Sequence, residues 1–383
     1  MSSTRKQPLT VFGKHFTVFL LVALWTLPTL GLLISSVRDK DQLTESGWWT
    51  SMSSTDLTDA YRTPEAQAQE SVDGQFVITD SIFEQSQGQR VKSWSLSPRD
   101  LGAYGPGETV TLDNGSEMTL QEDGTLRWTN SEAFEHSRGE RVFYTAAVPP
   151  RFTLDNYAEV LEAEGIGRAF INTMTVTLPA TFIPILIAAF AAYALAWMKF
   201  PGRLWILALI VGLLVVPLQI SLIPVLRMYT NLGNTFGIEP KSYPGIWLAH
   251  TAFGLSLAVY LLRNYMSGLP KEVMESARMD GASHFDVFRT IVLPLSVPAL
   301  ASFAIFQFLW VWNDLLVALV FLGKGEGKTV MTAQLVELLG SRGDNWEILT
   351  AGAFITIIVP LIVFISMQRF FVRGMLAGSV KGG

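Results

Sequence analysis

Residues 270–294 read Pro-Lys-Glu-Val-Met-Glu-Ser-Ala-Arg-Met-Asp-Gly-Ala-Ser-His-Phe-Asp-Val-Phe-Arg-Thr-Ile-Val-Leu-Pro, a polar stretch between two long apolar runs. Pro270 suits a helix start, because its missing N–H would have no partner there. Gly281 suits a helix end, because glycine adopts the left-handed conformation without strain. Ser283 and Asp286 have the spacing of a capping box. The stretch therefore predicts two short helices, one from Pro270 to about Asp280 and one opening at Ser283, with a sharp bend at Gly281.

The two predicted helices present different faces. In the first helix, Val273, Ala277 and Asp280 share a face at helical spacing and predict a small, partly charged knob. Three apolar residues share a face of the second helix and predict packing against a neighbouring helix: Phe285, Phe288 and Val292.

The same spacing resembles the EAA loop of the inner-membrane permease subunits of bacterial ABC importers. The pattern E-A-A-x3-G-x9-I-x-L-P is met at Glu275, Ala277, Gly281, Ile291, Leu293 and Pro294, and Ser276 replaces the first alanine. In that family the loop is a coupling helix that sits in a groove of the ATP-hydrolysing subunit. The resemblance implies an ATPase-coupling role for Glu275, Ser276, Ala277, Asp280, Gly281, Ile291, Leu293 and Pro294. The alternative is an amphipathic cytoplasmic loop with ordinary caps.

The composition indicates a membrane protein. Hydrophobic residues make up 49% of the 383 residues and charged residues 16%, against about 25% charged residues in ordinary soluble domains. The chain has no cysteine, which excludes disulfides and thiolate sites, and its four histidines are widely spaced without a ligand pattern such as H-E-x-x-H.

The N-terminal 15 residues carry Arg5, Lys6 and Lys14 and no acid, and an apolar run follows from Phe16 to about Ser36. Basic residues before an apolar core are also typical of a signal peptide. However, the run is long enough to span a bilayer and no small-x-small cleavage site follows promptly. We interpret it as an uncleaved first transmembrane helix with a cytoplasmic N-terminus, so that residues 1–37 form the first region.

Residues 38–167 are acidic, with ten Lys and Arg against 23 Asp and Glu, so that this segment carries −13 and the rest of the chain +8. Long segments are translocated largely regardless of charge. Residues 110–120 alternate around Asn114-Gly115, a strong hairpin signal, and Asp123-Gly124 predicts another turn. We predict an inserted extracytoplasmic β-rich domain over 38–167, with residues 51–69 as its flexible stretch.

Residues 168–383 hold five further apolar runs, each long enough to cross a bilayer: Phe170 to Trp197, Leu204 to Tyr229, Pro244 to Leu262, Ser296 to Leu322 and Leu349 to Phe371. With the first helix they predict six transmembrane helices and a permease core over 168–383. The excess of Lys and Arg in alternate loops places both termini and the coupling loop, residues 263–295, in the cytoplasm.

Residues 323–329 end in Gly-Lys-Thr, as a Walker A motif does, but position 322 is Leu where that motif needs glycine, and a transmembrane run precedes it instead of a strand. A flexible turn on the outer side is the better interpretation. We therefore expect no cofactor in this chain, and the resemblance implies that a partner ATPase holds ATP and Mg.

The fifth predicted span carries polar and aromatic residues: Gln307, Trp310, Trp312, Asn313 and Asp314. A carboxylate inside a bilayer is costly and is a candidate functional residue. Indoles that stack on sugar rings, beside amides and a carboxylate that bind hydroxyls, would make a translocation path, with Gln219 as a weaker candidate. Hydrogen bonds between helices are the alternative explanation for each residue.

We therefore predict an all-α polytopic membrane protein with six transmembrane helices, the type I permease fold of ABC importers, and an inserted β-rich domain. The resemblance covers residues 152–383 well, and the long insertion resembles the α-glucoside branch of carbohydrate permeases. It implies a sugar importer in the bacterial inner membrane, with a second homologous permease, an ATPase dimer, an extracytoplasmic solute-binding protein and no nucleic acid. Alternatives are a secondary transporter, an importer of another solute, and a membrane-anchored enzyme or receptor.

Overall fold

A computed structural model of the chain describes residues 8–83, 88–135, 138–163, 165–237, 239–323, 325, 327–341 and 345–379. Their contacts divide the chain into two compact units. One unit runs to Tyr157 and includes Asn345–Ala351, and the other comprises Ala158–Asp344 and the residues from Gly352 onward. Residues 324 and 326 of the Walker-like stretch lie outside the described residues.

The first unit begins with helix α1 (Pro8–Ser36), which is followed by the short helix α2 (Lys40–Glu45). The chain that leaves α1 meets the chain that returns to it. Arg38 and Phe152 form an antiparallel bridge. The Gln42 amide ties the returning strand by donating to the Pro149 carbonyl at 2.7 Å and accepting the Arg151 N–H at 3.0 Å. The two ends of the segment 39–151 therefore lie side by side.

Between these two ends, the described residues form eight strands. Their bounds are β1 Thr55–Arg62, β2 Glu70–Val72, β3 Gln75–Ser81, β4 Arg90–Ser95, β5 Thr109–Thr111, β6 Glu117–Leu120, β7 Thr125–Asn130 and β8 Arg141–Val148. All pairs are antiparallel, and the strands form a sheet in the order β1-β8-β4 and a second sheet in the order β2-β3-β7-β6-β5.

The strands enclose a hydrophobic core that contains two tryptophans, Trp94 and Trp128. Each indole N–H has a partner: Trp94 donates to the Gly105 carbonyl at 3.0 Å, and Trp128 donates to the Ser116 hydroxyl at 2.9 Å. Buried tryptophans contribute a large apolar area without an unsatisfied donor when the N–H is bonded.

The hairpin and turn predictions for this segment are confirmed. Strands β5 and β6 pair around Gly115, which has a φ of 80°, and Gly124, with a φ of 87°, turns the chain from β6 into β7. The prediction of a flexible stretch over residues 51–69 is wrong for β1. This strand pairs with β8 along its whole length, from Thr55 opposite Val148 to Arg62 opposite Arg141. Its polar composition reflects exposed side chains on a paired strand.

The remaining helices are α3 Asp155–Glu162, α4 Ile166–Trp197, α5 Arg203–Leu213, α6 Leu218–Phe236, α7 Tyr243–Met266, α8 Lys271–Met279, α9 His284–Val287, α10 Leu293–Leu295, α11 Val297–Trp312, α12 Leu316–Phe321, α13 Met331–Ser341 and α14 Trp346–Ser379. A π-helical turn, Phe288–Val292, joins α9 to α10. Pro294, which follows this turn, has no N–H to donate to an ordinary α-helical partner.

Among the described residues, four helices are long and apolar enough to cross a membrane: Phe12–Ser36, Ile166–Trp197, Tyr243–Met266 and Trp346–Phe370. Two bent helix pairs raise the number of candidate spans to six if each pair is one span. Helices α5 and α6 meet at 109°, and the helical segment His284–Leu295 meets α11 at 69°.

The predicted run from Leu204 to Tyr229 is therefore bent in its middle, between Leu213 and Leu218, where Pro217 precedes α6. The predicted run from Ser296 to Leu322 is also interrupted, between Trp312 and Leu316.

Candidate functional site

The loop between α7 and α11 has the predicted conformation. Helix α8 begins after Pro270 and ends at Met279, and Gly281 has a φ of 87°, in the left-handed region. The Ser283 hydroxyl accepts the Asp286 N–H at 3.2 Å, and the Asp286 carboxylate accepts the Ser283 N–H at 3.0 Å. This reciprocal capping box opens α9 and satisfies two donors that the helix start would otherwise leave free.

One side of this loop is anchored in the helical core. Met274, Val287, Phe288 and Val292 are buried against α4 and α7. The Tyr193 hydroxyl of α4 lies 3.0 Å from His284 Nδ1. Because well-packed interiors transmit displacement with little slack, a force on α8 reaches α4 and α7 directly.

The other side of the loop is exposed and partly apolar. The exposed fraction is 87% for Met279, 58% for Phe285 and 43% for Val273. The prediction that Phe285 shares a packed face with Phe288 and Val292 is therefore wrong, because only Phe288 and Val292 are buried. Three exposed apolar side chains on a polar loop are available for contact with a protein partner. We call Val273, Met279 and Phe285 the coupling face.

The eight predicted coupling residues divide between these two sides. Five are exposed: Glu275, Ser276, Asp280, Gly281 and Pro294. Three are partly buried and pack against the helical core: Ala277, Ile291 and Leu293. Glu275 forms a 2.8 Å ion pair with Lys271, with both side chains largely exposed. The motif thus contains residues that hold the loop and residues that face outward.

A second group of polar side chains lies where α11 breaks from α12. The Asp314 carboxylate accepts the Ala318 N–H at 3.0 Å, in the first turn of α12, and the Asp314 carbonyl accepts the Thr332 hydroxyl at 2.9 Å. His250 Nε2 lies 3.9 Å from Asp314 Oδ2, and the His250 side chain is 1% exposed. Asp314 therefore starts a new helix beside a buried histidine.

Gln307 joins three helices at this level. Its amide donates to the Ala180 carbonyl of α4 at 3.1 Å and to the His250 carbonyl of α7 at 3.4 Å. Gly254 makes room for it, because a Cβ at Gly254 would lie 2.5 Å from Gln307 Oε1. The Trp310 ring meets the His250 ring edge to face, with the centroids 5.4 Å apart.

A cavity of about 750 Å³ opens beside this group. The bend between α5 and α6, together with α7 and α11, forms its wall, which is largely apolar. Gln307 and Trp310 lie in the wall with Ser221 and Ser256. A cavity of this size, with an aromatic side chain and a few polar groups, has the character of a small-molecule site.

The structure brings three of the six predicted path residues together, since Gln307, Trp310 and Asp314 surround His250. The other three lie elsewhere. Gln219 is exposed on α6, and the Asn313 amide turns back to the Leu309 carbonyl at 2.9 Å. Trp312 is buried, donates to the Thr356 carbonyl at 2.9 Å and stacks on Phe308.

Sequence reasoning missed His250. The signal that could have found it is a single histidine within an otherwise apolar transmembrane run, since an ionisable residue in such a position is a candidate functional residue.

The sequence was compared with families and with individual proteins. Residues 169–377 match the family model described as "Binding-protein-dependent transport system inner membrane component". The chain belongs to this family. It has the helical fold of type I ABC importer permeases, with four to six candidate spans, and is a transport subunit of the inner membrane. The prediction that ATP hydrolysis belongs to a partner is confirmed by this membership.

Two relatives of this permease align over nearly all of it. The alpha-glucoside transport system permease protein AglG of Rhizobium meliloti is 63% identical over 383 residues, which is 100% of each chain. The osmoprotective compounds uptake permease protein GgtD of Synechocystis sp. is 42% identical over 96% of this chain and 91% of its own length.

Other matches are shorter or weaker. The trehalose transport system permease protein SugB of Mycobacterium tuberculosis is 33% identical over 61% of this chain and 84% of its own length. Among solved structures, a bacterial ABC transporter involved in the import of the acidic polysaccharide alginate has 23% identity and a TM-score of 0.49, and the match covers 59% of this chain and 82% of that chain.

Proposed function

We propose that this permease is a subunit of an ATP-driven importer for α-glucosides. The observation that carries the proposal is 63% identity to a permease named for α-glucoside transport, over 100% of both chains. The aligned region includes the whole β-rich segment, because it spans 100% of both chains. An osmoprotective solute is the second candidate, because GgtD is 42% identical over 96% of the chain.

In this proposal the β-rich segment 38–167 is an inserted domain outside the membrane, and both termini and the α8 loop are in the cytoplasm. The charge distribution supports this orientation. The segment carries −13, whereas Arg263, Lys271, Arg278 and Arg289 lie in or next to the α8 loop. Lys and Arg concentrate in the cytoplasmic loops of membrane proteins.

The coupling face inserts into a groove of the ATPase subunit. Its Met279 is the most exposed of the three side chains, and Glu275 and Asp280 beside it supply charge. Met side chains adapt to irregular pockets, and aromatic residues such as Phe285 contribute large contact areas. ATP-driven closure of two ATPase subunits then moves α8 and, through Met274 and Phe288, the helices on which it packs.

The remaining partners follow from the same architecture. A second, homologous permease completes the path, and a solute-binding protein delivers the sugar on the side of the β-rich segment. The cavity beside Gln307 and Trp310 forms part of the path, where the indole stacks on a sugar ring and the amide binds a hydroxyl. The chain needs no cofactor, because ATP and Mg are held by the ATPase.

The test is Gly281→Arg in the complete importer. No neighbouring atom lies within 4 Å of a Cβ built at Gly281, so the side chain meets no steric clash in the permease, and the strain from the φ of 87° is matched in the control. The matched control is Gly237→Arg, which also has a positive φ, of 69°, and open space at the end of α6. We expect loss of ATPase co-purification and of [¹⁴C]maltose uptake for Gly281→Arg, and retention of both for Gly237→Arg.

Wild-type uptake by Gly281→Arg would refute the coupling role. The substrate is tested separately, with wild-type importer in proteoliposomes that contain the ATPase and the binding protein. Uptake of maltose that excess methyl α-glucoside inhibits, and that glycine betaine, an osmoprotectant without a sugar, does not, supports the α-glucoside proposal. The opposite selectivity favours the osmoprotective solute.

A further inference from the structure

A short turn after α2 exposes apolar side chains in an otherwise polar part of the first unit. Residues 48–52 contain a 3₁₀ turn, Trp48–Thr50, and the exposed fraction is 74% for Trp49 and 77% for Met52. The Trp48 and Trp49 rings meet edge to face, with the centroids 6.1 Å apart. We call residues 48–52 the tryptophan turn.

The turn is fixed to the end of α1 by a buried arginine. Arg38, which is 1% exposed, donates from Nη1 to the Ser46 carbonyl at 2.8 Å and the Gly47 carbonyl at 3.1 Å. Its Nη2 donates to the Gln42 carbonyl at 3.1 Å. These bonds hold the chain that precedes Trp48 in one conformation, so that the position of the tryptophan turn relative to α1 is set by the fold.

Trp48 lies against α1 at Gly31. A Cβ at Gly31 would come within 2.7 Å of Trp48 Nε1, so only glycine allows the indole this close. Gly31 is five residues before the end of α1 at Ser36, which is about 7.5 Å along the helix axis at 1.5 Å per residue. The chain has therefore turned back beside the helix, below the level at which the helix ends.

The end of α1 lies at the edge of the bilayer. Residues Phe12–Ser36 form a 25-residue helix with an 18-residue window of mean hydropathy 2.2, and about 20 apolar residues cross the hydrocarbon core. The last turns of α1 therefore reach the headgroup region. Tryptophan is enriched there, because its ring is apolar and its N–H can bond to water or headgroups.

We infer that the tryptophan turn is an interfacial anchor, with Trp48, Trp49 and Met52 in the boundary between the headgroups and the acyl chains. The anchor holds the β-rich segment against the bilayer surface. Asp39, Asp41 and Glu45 are the nearby acids and oppose attraction to anionic lipids, so the turn binds zwitterionic lipid through its apolar surface. The competing occupant of this surface is a helix of the second permease.

The absence of cysteine makes a direct measurement possible. Met52→Cys leaves both tryptophans in place, and a nitroxide attached there reports depth through its collision rates with oxygen and with a water-soluble nickel complex. The labelled importer is reconstituted with its ATPase in nanodiscs of phosphatidylcholine. Leu24→Cys, at an exposed position of α1, provides the membrane reference, and Val72→Cys, at an exposed apolar position of β2, provides the water reference.

We expect the ratio of oxygen to nickel collisions at position 52 to lie between the ratios at positions 24 and 72. A ratio equal to that at position 72 would place the turn in water and overturn the inference. A label shielded from both reagents would show that protein covers the turn, which also overturns it. Adding Trp49→Ser to Met52→Cys should shift the ratio toward the water reference, and an unchanged ratio would exclude Trp49 as an anchor.

Discussion

In the strands over residues 55–148, Trp94 and Trp128 are buried, whereas in the helices many of the largest apolar side chains face outward, such as Leu186 on α4 at 62% and Ile220 on α6 at 71% exposure. The helices instead bury polar groups, including Gln307 at 2% and His250 at 1%. The two regions therefore follow opposite rules because their surroundings differ. Water drives apolar side chains inward in the strands, whereas lipid provides no such force between helices.

This comparison separates the sources of stability. The strands are stabilised by burial of apolar area, and removal of a core side chain should cost the transfer and cavity energies together. The helices are held by close packing of small residues and by hydrogen bonds between helices. A substitution that damages one kind of stability should leave the other region intact.

The largest expected effect is that of Trp128→Ala. It removes a fully buried indole and leaves the Ser116 hydroxyl without that donor, and large-to-small core changes of this kind cost about 3–5 kcal/mol. Hydrogen exchange measured by mass spectrometry should show loss of protection over β3, β6 and β7. Val72→Ala, at a 44% exposed position, is the control. Loss of ATPase co-purification by Trp128→Ala would contradict the separation of the two regions.

A smaller effect is expected for Gly254→Ala in the helices. The new methyl group would approach Gln307 Oε1 to 2.5 Å and displace the amide from the Ala180 and His250 carbonyls, and overpacking costs about 1–3 kcal/mol. The melting temperature of the purified importer should fall, while Gly212→Ala, which meets no atom within 4 Å, should leave it unchanged. Adding Gln307→Ala should recover part of the loss. Equal melting temperatures for the two glycine variants would contradict the packing argument.

Ser283→Ala should act locally on the coupling loop. It removes the hydroxyl that accepts the Asp286 N–H, and loss of such a cap costs about 1 kcal/mol. We expect faster hydrogen exchange over residues 283–287 and a modest fall in uptake. Ser302→Ala, where the hydroxyl only returns to the Pro298 carbonyl within α11, is the matched control. Unchanged exchange at residues 283–287 would show that the capping box does not hold α9.

The same capping box should make the loop sensitive to acid. Hydrogen bonds from Ser283 lower the pKa of Asp286 below its ordinary value. Since the folded pKa is lowered, the stabilisation is present above the unfolded pKa, near 4, and is lost as the pH falls through the folded pKa. Exchange over residues 283–287 should therefore increase on acidification below about pH 4. Asp286→Asn should abolish this pH dependence, and its persistence in that variant would assign it to another group.

The features that could be predicted from the sequence are those that neighbouring residues determine. Ser283 with Asp286, Gly281, and Asn114 with Gly115 each specify a backbone conformation within three or four positions, and the structure has all of them. Hydropathy likewise identified the four continuous candidate spans of the described residues, because their length reflects bilayer thickness.

The bends could not be predicted in the same way. An apolar run has the same mean hydropathy whether it is straight or bent by 109° at Pro217. Asp314 attracted attention as an intramembrane acid, but nothing local showed that its carboxylate bonds to Ala318 and starts α12. The approach of His250 to Asp314 joins residues distant in the chain and depends on how α7 packs beside α11.

The meeting of Arg38 with Phe152, tied by Gln42, has an evolutionary consequence. Because the two ends of the segment between these residues lie side by side, a gene can gain or lose the whole segment without altering how the flanking chain is joined. A permease with this junction can exchange its strand-rich segment by recombination while the helices that follow are inherited unchanged.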